Sequence, residues 1–310
     1  MTRVAAIDCG TNSIRLLVAD VDPATGSITD LDRRMEIVRL GQGVDRTGRI
    51  APEAMERTLD AARRYAAICS ELGVERTRFV ATSASRDAEN AQEFVDGVNA
   101  ALGVRPEVVP GDEEAELSFS GSTAELQGRH PAPFLVCDIG GGSTELVLGT
   151  ESVDAGRSVD IGCVRMTERH LRSDPPTKHE VDAATHDIRA AIDFAATTVP
   201  LAKARTLVGL AGSVTTVTAH ALRLDSYRPE VIHGAVLPVP DVFAACDDLL
   251  HLTREQRASL PYMHPGRVDV IGAGALVWRC IVERVADEAG LTEVVTSEHD
   301  ILDGIALSIA

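Results

Sequence analysis

The sequence FLVCDIGGGSTELVL at residues 134–148 places a glycine-rich turn between two short apolar runs. Each run has the length and composition of a buried β-strand, and the first ends at Asp138. The turn contains Gly140, Gly141 and Gly142. Consecutive glycines allow successive backbone N–H groups to point into one concavity, and such a concavity binds phosphate oxygens. The stretch therefore predicts a strand, an anion-binding turn and a second strand.

The same pattern occurs 130 residues earlier, where residues 4–18 read VAAIDCGTNSIRLLV. Three positions of the turn coincide when the two stretches are aligned without a gap: Asp8 with Asp138, Gly10 with Gly140, and Ser13 with Ser143. Chance similarity between two apolar hairpins would explain the strands but not the matched turn residues. We therefore predict a duplicated domain.

Side chains in both turns suit a phosphate and a metal ion. Thr11, Asn12, Ser13 and Ser143 add hydroxyl and amide donors to the backbone N–H groups. An aspartate at the end of each first strand can hold a divalent cation or orient a water. A single hairpin of this kind is also typical of a tight turn with an Asx cap, but its duplication favours a binding role.

Strand and helix signals alternate along the rest of the chain, which predicts an α/β fold. The predicted strands are residues 3–8, 14–20, 35–40, 78–82, 107–109, 134–138, 144–148, 206–210 and 293–296. The predicted helices cover residues 52–72, 88–102 and 178–199, with others starting near 112 and 300. Gly212 and Ser213 follow a strand and open a helix, so they suit a third anion contact or an ordinary N-cap. The segment 127–133, rich in glycine and proline, is the predicted domain boundary.

Composition excludes several classes of protein. A chain of 310 residues with 45% hydrophobic and 25% charged residues predicts two packed domains. The net charge of -17 opposes general binding to nucleic acid or to anionic lipid. Six widely spaced cysteines without a CxxC pair predict buried thiols rather than a zinc or redox site. With no membrane-length apolar run and no signal-peptide pattern at its start, the chain is expected to work in the cytoplasm.

Further motifs agree with the two turns. They are the run Ala81-Thr82-Ser83-Ala84-Ser85-Arg86, the run Gly111-Asp112-Glu113-Glu114-Ala115, and the run Pro265-Gly266-Arg267-Val268-Asp269. Together with DIGGGSTE at residues 138–145, they resemble the exopolyphosphatase and guanosine pentaphosphate phosphohydrolase (Ppx/GppA) family over essentially the whole chain. The resemblance implies two duplicated actin-like, ribonuclease H-like domains with a cleft between them. It places the domains at residues 1–127 and 128–310, and leaves open whether a final helix at 300–310 packs back on the first.

The resemblance also implies a reaction and a site. The reaction is hydrolysis of the terminal phosphate of inorganic polyphosphate or guanosine pentaphosphate, with water attacking in line. The resemblance assigns the catalytic carboxylate to Glu114, whereas the residues alone do not distinguish Glu113, Glu114 and Glu116. The expected phosphate-binding residues are Gly10, Thr11, Asn12, Ser13, Arg86, Gly140, Gly141, Gly142, Ser143, Gly212 and Ser213. Arg267 and Arg15 are weaker candidates.

A divalent cation, Mg²⁺ in particular, is the expected cofactor, because hard cations prefer carboxylate oxygens and bridge to phosphates. The expected ligands are Asp138 and Glu145, with Asp8 as a third. The histidines show no metal-binding spacing and receive no role. The sequence leaves open a kinase of the same superfold, a non-catalytic sensor of polyphosphate or nucleotide, and a filament-forming actin-like protein. A homodimer is an expectation that no residue pattern establishes.

Overall fold

The computed structural model describes all 310 residues, which form two compact units. Unit 1 comprises Met1–Gly121 and Ile301–Ala310, and unit 2 comprises Ser122–Asp300. The first division lies within a helix, six residues before the boundary expected from the glycine and proline content. Helical hydrogen bonding continues through the division, so the chain carries no loop signal there.

Unit 1 is built on a five-stranded sheet with the order β3-β2-β1-β4-β5. Its strands are β1 (Thr2–Cys9), β2 (Ser13–Asp22), β3 (Ser27–Ile37), β4 (Arg76–Ala81) and β5 (Glu107–Val108). The helices between them are α1 (Val44–Thr47), α2 (Pro52–Glu71), α3 (Ser83–Asp87), α4 (Ala91–Leu102) and α5 (Gly111–Thr123). β1 and β2 are antiparallel, and β4 is parallel to β1.

Unit 2 contains a six-stranded sheet with the order β10-β11-β9-β6-β7-β8. Its strands are β6 (Phe134–Ile139), β7 (Thr144–Gly149), β8 (Val153–Val159), β9 (Thr206–Leu210), β10 (Val236–Pro238) and β11 (Glu293–Thr296). Its helices are α6 (Cys163–Arg169), α7 (Lys178–Ala196), α8 (Ala211–Ala221), α9 (Pro229–Ile232), α10 (Val239–His251), α11 (Arg254–Ala258) and α12 (Ile271–Ala289). Short 3₁₀ turns lie at Leu201–Lys203 and Pro265–Arg267.

The strand registers confirm the predicted duplication. Val4 pairs with Arg76 across β1 and β4, and Phe134 pairs with Thr206 across β6 and β9, so both partners move by 130 residues. The order β8-β7-β6-β9-β11 of unit 2 repeats that of unit 1, with β10 added at the edge. The predicted duplicated α/β fold is therefore confirmed, and the alignment without gaps holds again at the fourth strand of each unit, β4 and β9.

The final helix, α13 (Ile301–Ser308), belongs to unit 1 and covers one face of its sheet. Alternate residues of a strand point to opposite faces. Val4 and Ala6 of β1 accordingly pack with Ile305, whereas Ala5 and Ile7 belong to the core under α2 and α4. An ion pair 2.5 Å long joins Nη2 of the part-exposed Arg33 to Oδ1 of the buried Asp303 and fastens α13 to β3.

One predicted strand was misplaced and others were missed. The third strand was predicted at residues 35–40 but runs from Ser27 to Ile37, because most of it is polar and half-exposed. β8 and β10 were not predicted. None of the helices combines the length and hydrophobicity that a membrane crossing requires. All six cysteines are buried and unoxidised, as their spacing predicted.

Candidate active site

The turn between β1 and β2 is held from one side by its carbonyl groups. Gly10 closes the turn by donating its N–H to the Ser13 carbonyl at 2.9 Å. The next carbonyls accept from the segment after β3: Thr11 O from Gly41 at 2.8 Å, and Asn12 O from Val38 at 3.1 Å and Arg39 at 2.9 Å. Because the C=O and N–H of a trans peptide point in opposite directions, the N–H groups of Asn12 and Ser13 face away from that segment. The predicted donors of unit 1 thus share one face of the turn.

The turn between β6 and β7 has the same construction. Gly140 donates to the Ser143 carbonyl at 3.0 Å, which repeats the bond from Gly10 to Ser13. Its three glycine carbonyls accept backbone N–H groups from one segment: Gly140 O from Cys163, Gly141 O from Val164 and Arg165, and Gly142 O from Gly162. The N–H groups of Gly141, Gly142 and Ser143 consequently point to the opposite side, as an anion-binding turn requires.

The segment 162–165 that holds this turn was not identified from sequence. Gly162 approaches so closely that an added Cβ would lie 2.3 Å from the carbonyl carbon and oxygen of Gly141. Arg165 donates its Nε to the Gly142 carbonyl at 2.8 Å. No motif marks these residues, because their role depends on a contact with residues about twenty positions earlier in the chain.

The two turns differ in the charge that lies opposite the aspartate. In unit 1, Asp8 pairs across the strands with Arg15, whose Nη2 is 2.7 Å from Asp8 Oδ2. In unit 2, the equivalent pair is Asp138 with Glu145. All three carboxylates are at least 93% buried. The duplication therefore yields a salt bridge in one unit and two opposed acids in the other.

Opposed buried carboxylates fit a divalent cation. Residues directly opposite on neighbouring antiparallel strands have Cβ atoms about 5 Å apart, so Asp138 and Glu145 can direct oxygens at one ion. Ser158, opposite Glu145 on β8, donates its hydroxyl to Glu145 Oε1 at 2.6 Å and so orients that carboxylate. The neighbouring thiol of Cys137 is buried, and its burial raises its pKa well above the usual range. The charges of Asp138 and Glu145 raise this pKa further, so the thiol stays protonated.

The acid and the arginine assigned from the resemblance lie in contact in unit 1. Glu114 is in the first turn of α5 and Arg86 in the last turn of α3. Arg86 Nη1 donates to Glu114 Oε2 at 3.1 Å and to the Val109 carbonyl at 2.9 Å. Glu114 is 7% exposed. Its neighbour Glu113 instead pairs with Arg78 at the surface. Only Glu114 among the acids left open by the residues is therefore both buried and held beside a guanidinium.

Gly212 and Ser213 open α8 in unit 2, directly after β9. The preceding residue, Ala211, has a φ of 65°, a left-handed conformation that alanine adopts only when its surroundings impose it. Cys163 hydrogen-bonds Ser213 and also donates its N–H to Gly140, so it connects this helix start to the glycine-rich turn. At an offset of 130, Gly212 and Ser213 correspond to Thr82 and Ser83, a relation the sequence analysis did not recognise.

Arg267, a weaker phosphate-binding candidate in the sequence analysis, lies over the start of α8. A Cβ on Gly212 would be 2.6 Å from the Arg267 guanidinium carbon, so a larger residue there would push the guanidinium aside. Arg267 Nη1 donates to Thr216 Oγ1 at 3.2 Å, and Thr216 occupies the position that Arg86 has in unit 1. The guanidinium also faces the Tyr227 ring, 5.7 Å from its centroid. Each unit thus has an arginine at the helix that follows its fourth strand, within α3 in unit 1 and beside α8 in unit 2.

A sequence profile of the Ppx/GppA phosphatase family matches residues 17–309. "Exopolyphosphatase 2" of Mycobacterium tuberculosis is 53% identical over 317 residues, covering 100% of this chain and 99% of that protein. A crystal structure of an exopolyphosphatase-like protein has a TM-score of 0.96 at 47% identity, over 99% of this chain and 97% of the other. The Ppx/GppA enzyme of Aquifex aeolicus has a TM-score of 0.81 at 30% identity, over 99% of both chains.

Proposed function

Because the chain belongs to the Ppx/GppA phosphatase family, we propose that it is an exopolyphosphatase, which hydrolyses the terminal phosphoanhydride bond of inorganic polyphosphate. The likeness to "Exopolyphosphatase 2" along the full length of both proteins carries this proposal. Guanosine pentaphosphate also ends in an anhydride-linked phosphate, and it is the second substrate that we propose. Discrimination between the two depends on the part of each substrate beyond that terminal group.

In the proposed reaction, each glycine-rich turn, at residues 10–13 and at residues 140–143, binds phosphate oxygens of the substrate through its own backbone N–H groups. Water, oriented by Glu114, attacks the phosphorus; its oxygen forms the new P–O bond, the anhydride P–O bond breaks, and Glu114 takes the water's proton. Arg86 is placed to stabilise the charge that develops on the phosphoryl oxygens. The hydrogen bond from Arg86 to Glu114 supports these roles, because it keeps the carboxylate and the guanidinium side by side.

Asp138 and Glu145 are the residues that would hold Mg²⁺. A cation there would neutralise charge on the phosphate chain. Asp8 is the weaker ligand, because Arg15 already neutralises it. The Ser158 hydroxyl orients the Glu145 carboxylate by a hydrogen bond. Asp138 and Glu145 therefore suit an ion better than Asp8 does. The proposal therefore assigns the metal to the acids of unit 2.

The test is phosphate release from polyphosphate of defined length with Mg²⁺ and no nucleotide or other phosphoryl acceptor. We expect Glu114→Gln to lower kcat on the order of 10²–10⁴-fold, the usual contribution of a positioned acid or base. Glu113→Gln is the matched control, since it makes the same change one residue away at a surface ion pair, and it should keep full activity. Undiminished release by Glu114→Gln would remove that residue from the mechanism. No release by the unaltered protein would favour a kinase or a sensor.

A further inference from the structure

Three side chains that are far apart in sequence converge in unit 2. Glu125, His233 and His299 each offer one ligand atom, and these atoms all lie within 4.8 Å of one another. Glu125 follows the point where the chain enters unit 2, and His299 precedes the point where it leaves. Since the residues are 108 and 66 positions apart, no spacing motif could reveal the cluster.

The distances are close to those of a metal site. Glu125 Oε2 is 3.2 Å from His233 Nε2, and Glu125 Oε1 is 3.8 Å from His299 Nε2. Two ligands bound at tetrahedral angles to one zinc-sized ion are about 3.4 Å apart. The imidazole rings meet edge to face, with centroids 4.6 Å apart and planes at 85°. Shifts of a few tenths of an ångström would let all three atoms bind one ion.

The two histidines are held in place, whereas the carboxylate can adjust. His233 Nδ1 accepts the Glu298 backbone N–H at 3.2 Å, and the His299 backbone is fixed through two hydrogen bonds with Ser297. The side chain of Glu125 is 54% exposed, so it can move towards an ion. Metal binding through His233 Nε2 requires the tautomer with a proton on Nδ1. The hydrogen bonds of His233 with the Glu298 N–H and with Glu125 must then open, which lowers the affinity.

The ligand types select the kind of ion. Imidazole nitrogens suit Zn²⁺, Ni²⁺ and Co²⁺, whereas Mg²⁺ prefers oxygen ligands. One carboxylate and two neutral imidazoles leave a bound divalent ion with a net charge of +1, in a chain whose net charge is -17. Three protein ligands leave a fourth position for water. The site is therefore chemically distinct from the acids Asp138 and Glu145.

We propose that Glu125, His233 and His299 bind a divalent transition-metal ion of the Zn²⁺, Ni²⁺ and Co²⁺ class. The ion would link the segment that enters unit 2 to the segment that leaves it. It would also shift Glu298, whose backbone N–H loses its bond to His233 and whose carboxylate accepts the Tyr227 hydroxyl at 2.6 Å. The Tyr227 ring in turn faces Arg267, so metal binding would change the position of Arg267 without touching it.

The test is titration of the tag-free, EDTA-treated full chain with Co²⁺ in excess Mg²⁺, followed by visible d–d absorption, with Zn²⁺ calorimetry in parallel. We expect one Co²⁺ per chain, a tetrahedral spectrum, and an affinity that Mg²⁺ does not reduce. Glu125→Gln should weaken binding on the order of 10-fold or more, and His299→Ala further. Glu125 is exposed enough that its substitution leaves the fold intact. His186→Ala, at an exposed histidine outside the cluster, is the control.

Absence of a stoichiometric Co²⁺ spectrum in the unaltered chain would overturn the proposal. So would equal affinity in the unaltered chain and in both Glu125→Gln and His299→Ala. Because the readout is metal binding rather than phosphate release, its failure leaves the proposed exopolyphosphatase activity untouched.

Discussion

Replacing Gly162 by alanine tests whether the segment 162–165 sets the position of the glycine-rich turn. The backbone of Gly162 has φ -74° and ψ 160°, which alanine adopts without strain, so the effect comes from the added Cβ alone. That atom would lie 2.3 Å from the carbonyl of Gly141 and 2.4 Å from the N of Gly142, where ordinary contact begins near 3.4 Å. Both neighbours are backbone atoms, so the turn itself must move by about 1 Å.

A displacement of about 1 Å in a positioning group costs on the order of 10²-fold in rate. We therefore expect Gly162→Ala to lower kcat for phosphate release by about that factor. Its free energy of unfolding should fall by only about 1–3 kcal/mol, the usual cost of overpacking. The assays are steady-state phosphate release and urea unfolding, measured on the same preparation.

Gly97→Ala is the control for this experiment. Its Cβ would lie 2.9 Å from Leu59 Cδ1, but that neighbour is the end of a side chain that can rotate away. Gly97 lies inside α4, where alanine also favours the helix by about 1 kcal/mol. This variant should keep full activity. The reasoning is refuted if Gly162→Ala keeps the kcat and KM of the unaltered enzyme, or if Gly97→Ala loses as much.

Three further changes probe other parts of the chain. Asp138→Asn should raise the Mg²⁺ concentration for half-maximal activity by about 10-fold or more, and Asp8→Asn should raise it less, because an arginine already pairs with Asp8. Equal shifts in the Mg²⁺ titrations would contradict this. A backbone N–H at the α7 N-cap lowers the pKa of Glu180 to about 2 from 4.5, so its stabilisation is present above pH 4.5 and lost as the pH falls towards 2. The difference in urea midpoint between Glu180→Gln and the unaltered chain should vanish over that range. Asp303→Ala removes the buried partner of Arg33, which is a third exposed and keeps its pair with Asp30, so it should cost about 1–3 kcal/mol in urea unfolding. No measurable cost would show that α13 is held by its apolar contacts alone.

Prediction of the strands depended on their position in the sheet. β6 and β9 lie inside the sheet of unit 2 and are buried on both faces, so their sequences are continuous apolar runs. β3, β8 and β10, which were misplaced or missed, lie at sheet edges. An edge strand exposes polar residues and loses the apolar pattern, as in Thr29 to Arg34 of β3. The interior of each sheet is therefore encoded locally, whereas its edges depend on pairing with the neighbouring strand.

The candidate site shows the same limit at the level of single residues. The glycine-rich turns could be predicted, because their donors belong to consecutive residues. Gly162 could not, and Arg267 was only a weaker candidate, since each matters through a close approach to a distant glycine. The cluster of His233 and His299 was missed for the same reason, because metal-binding spacing is recognised only when the ligands share one helix or loop.

The duplication explains why the two turns are not interchangeable. Both keep the bond from the glycine N–H to the serine carbonyl, so the backbone of the turn is retained in each unit. The residue opposite the aspartate has changed independently, to Arg15 in one unit and Glu145 in the other. An arginine there pairs with Asp8, whereas an acid brings a second carboxylate beside Asp138, and two close carboxylates favour a bound divalent cation. A single change at one register position of an ancestral hairpin can therefore turn a salt bridge into a pair of acids that suits a cation.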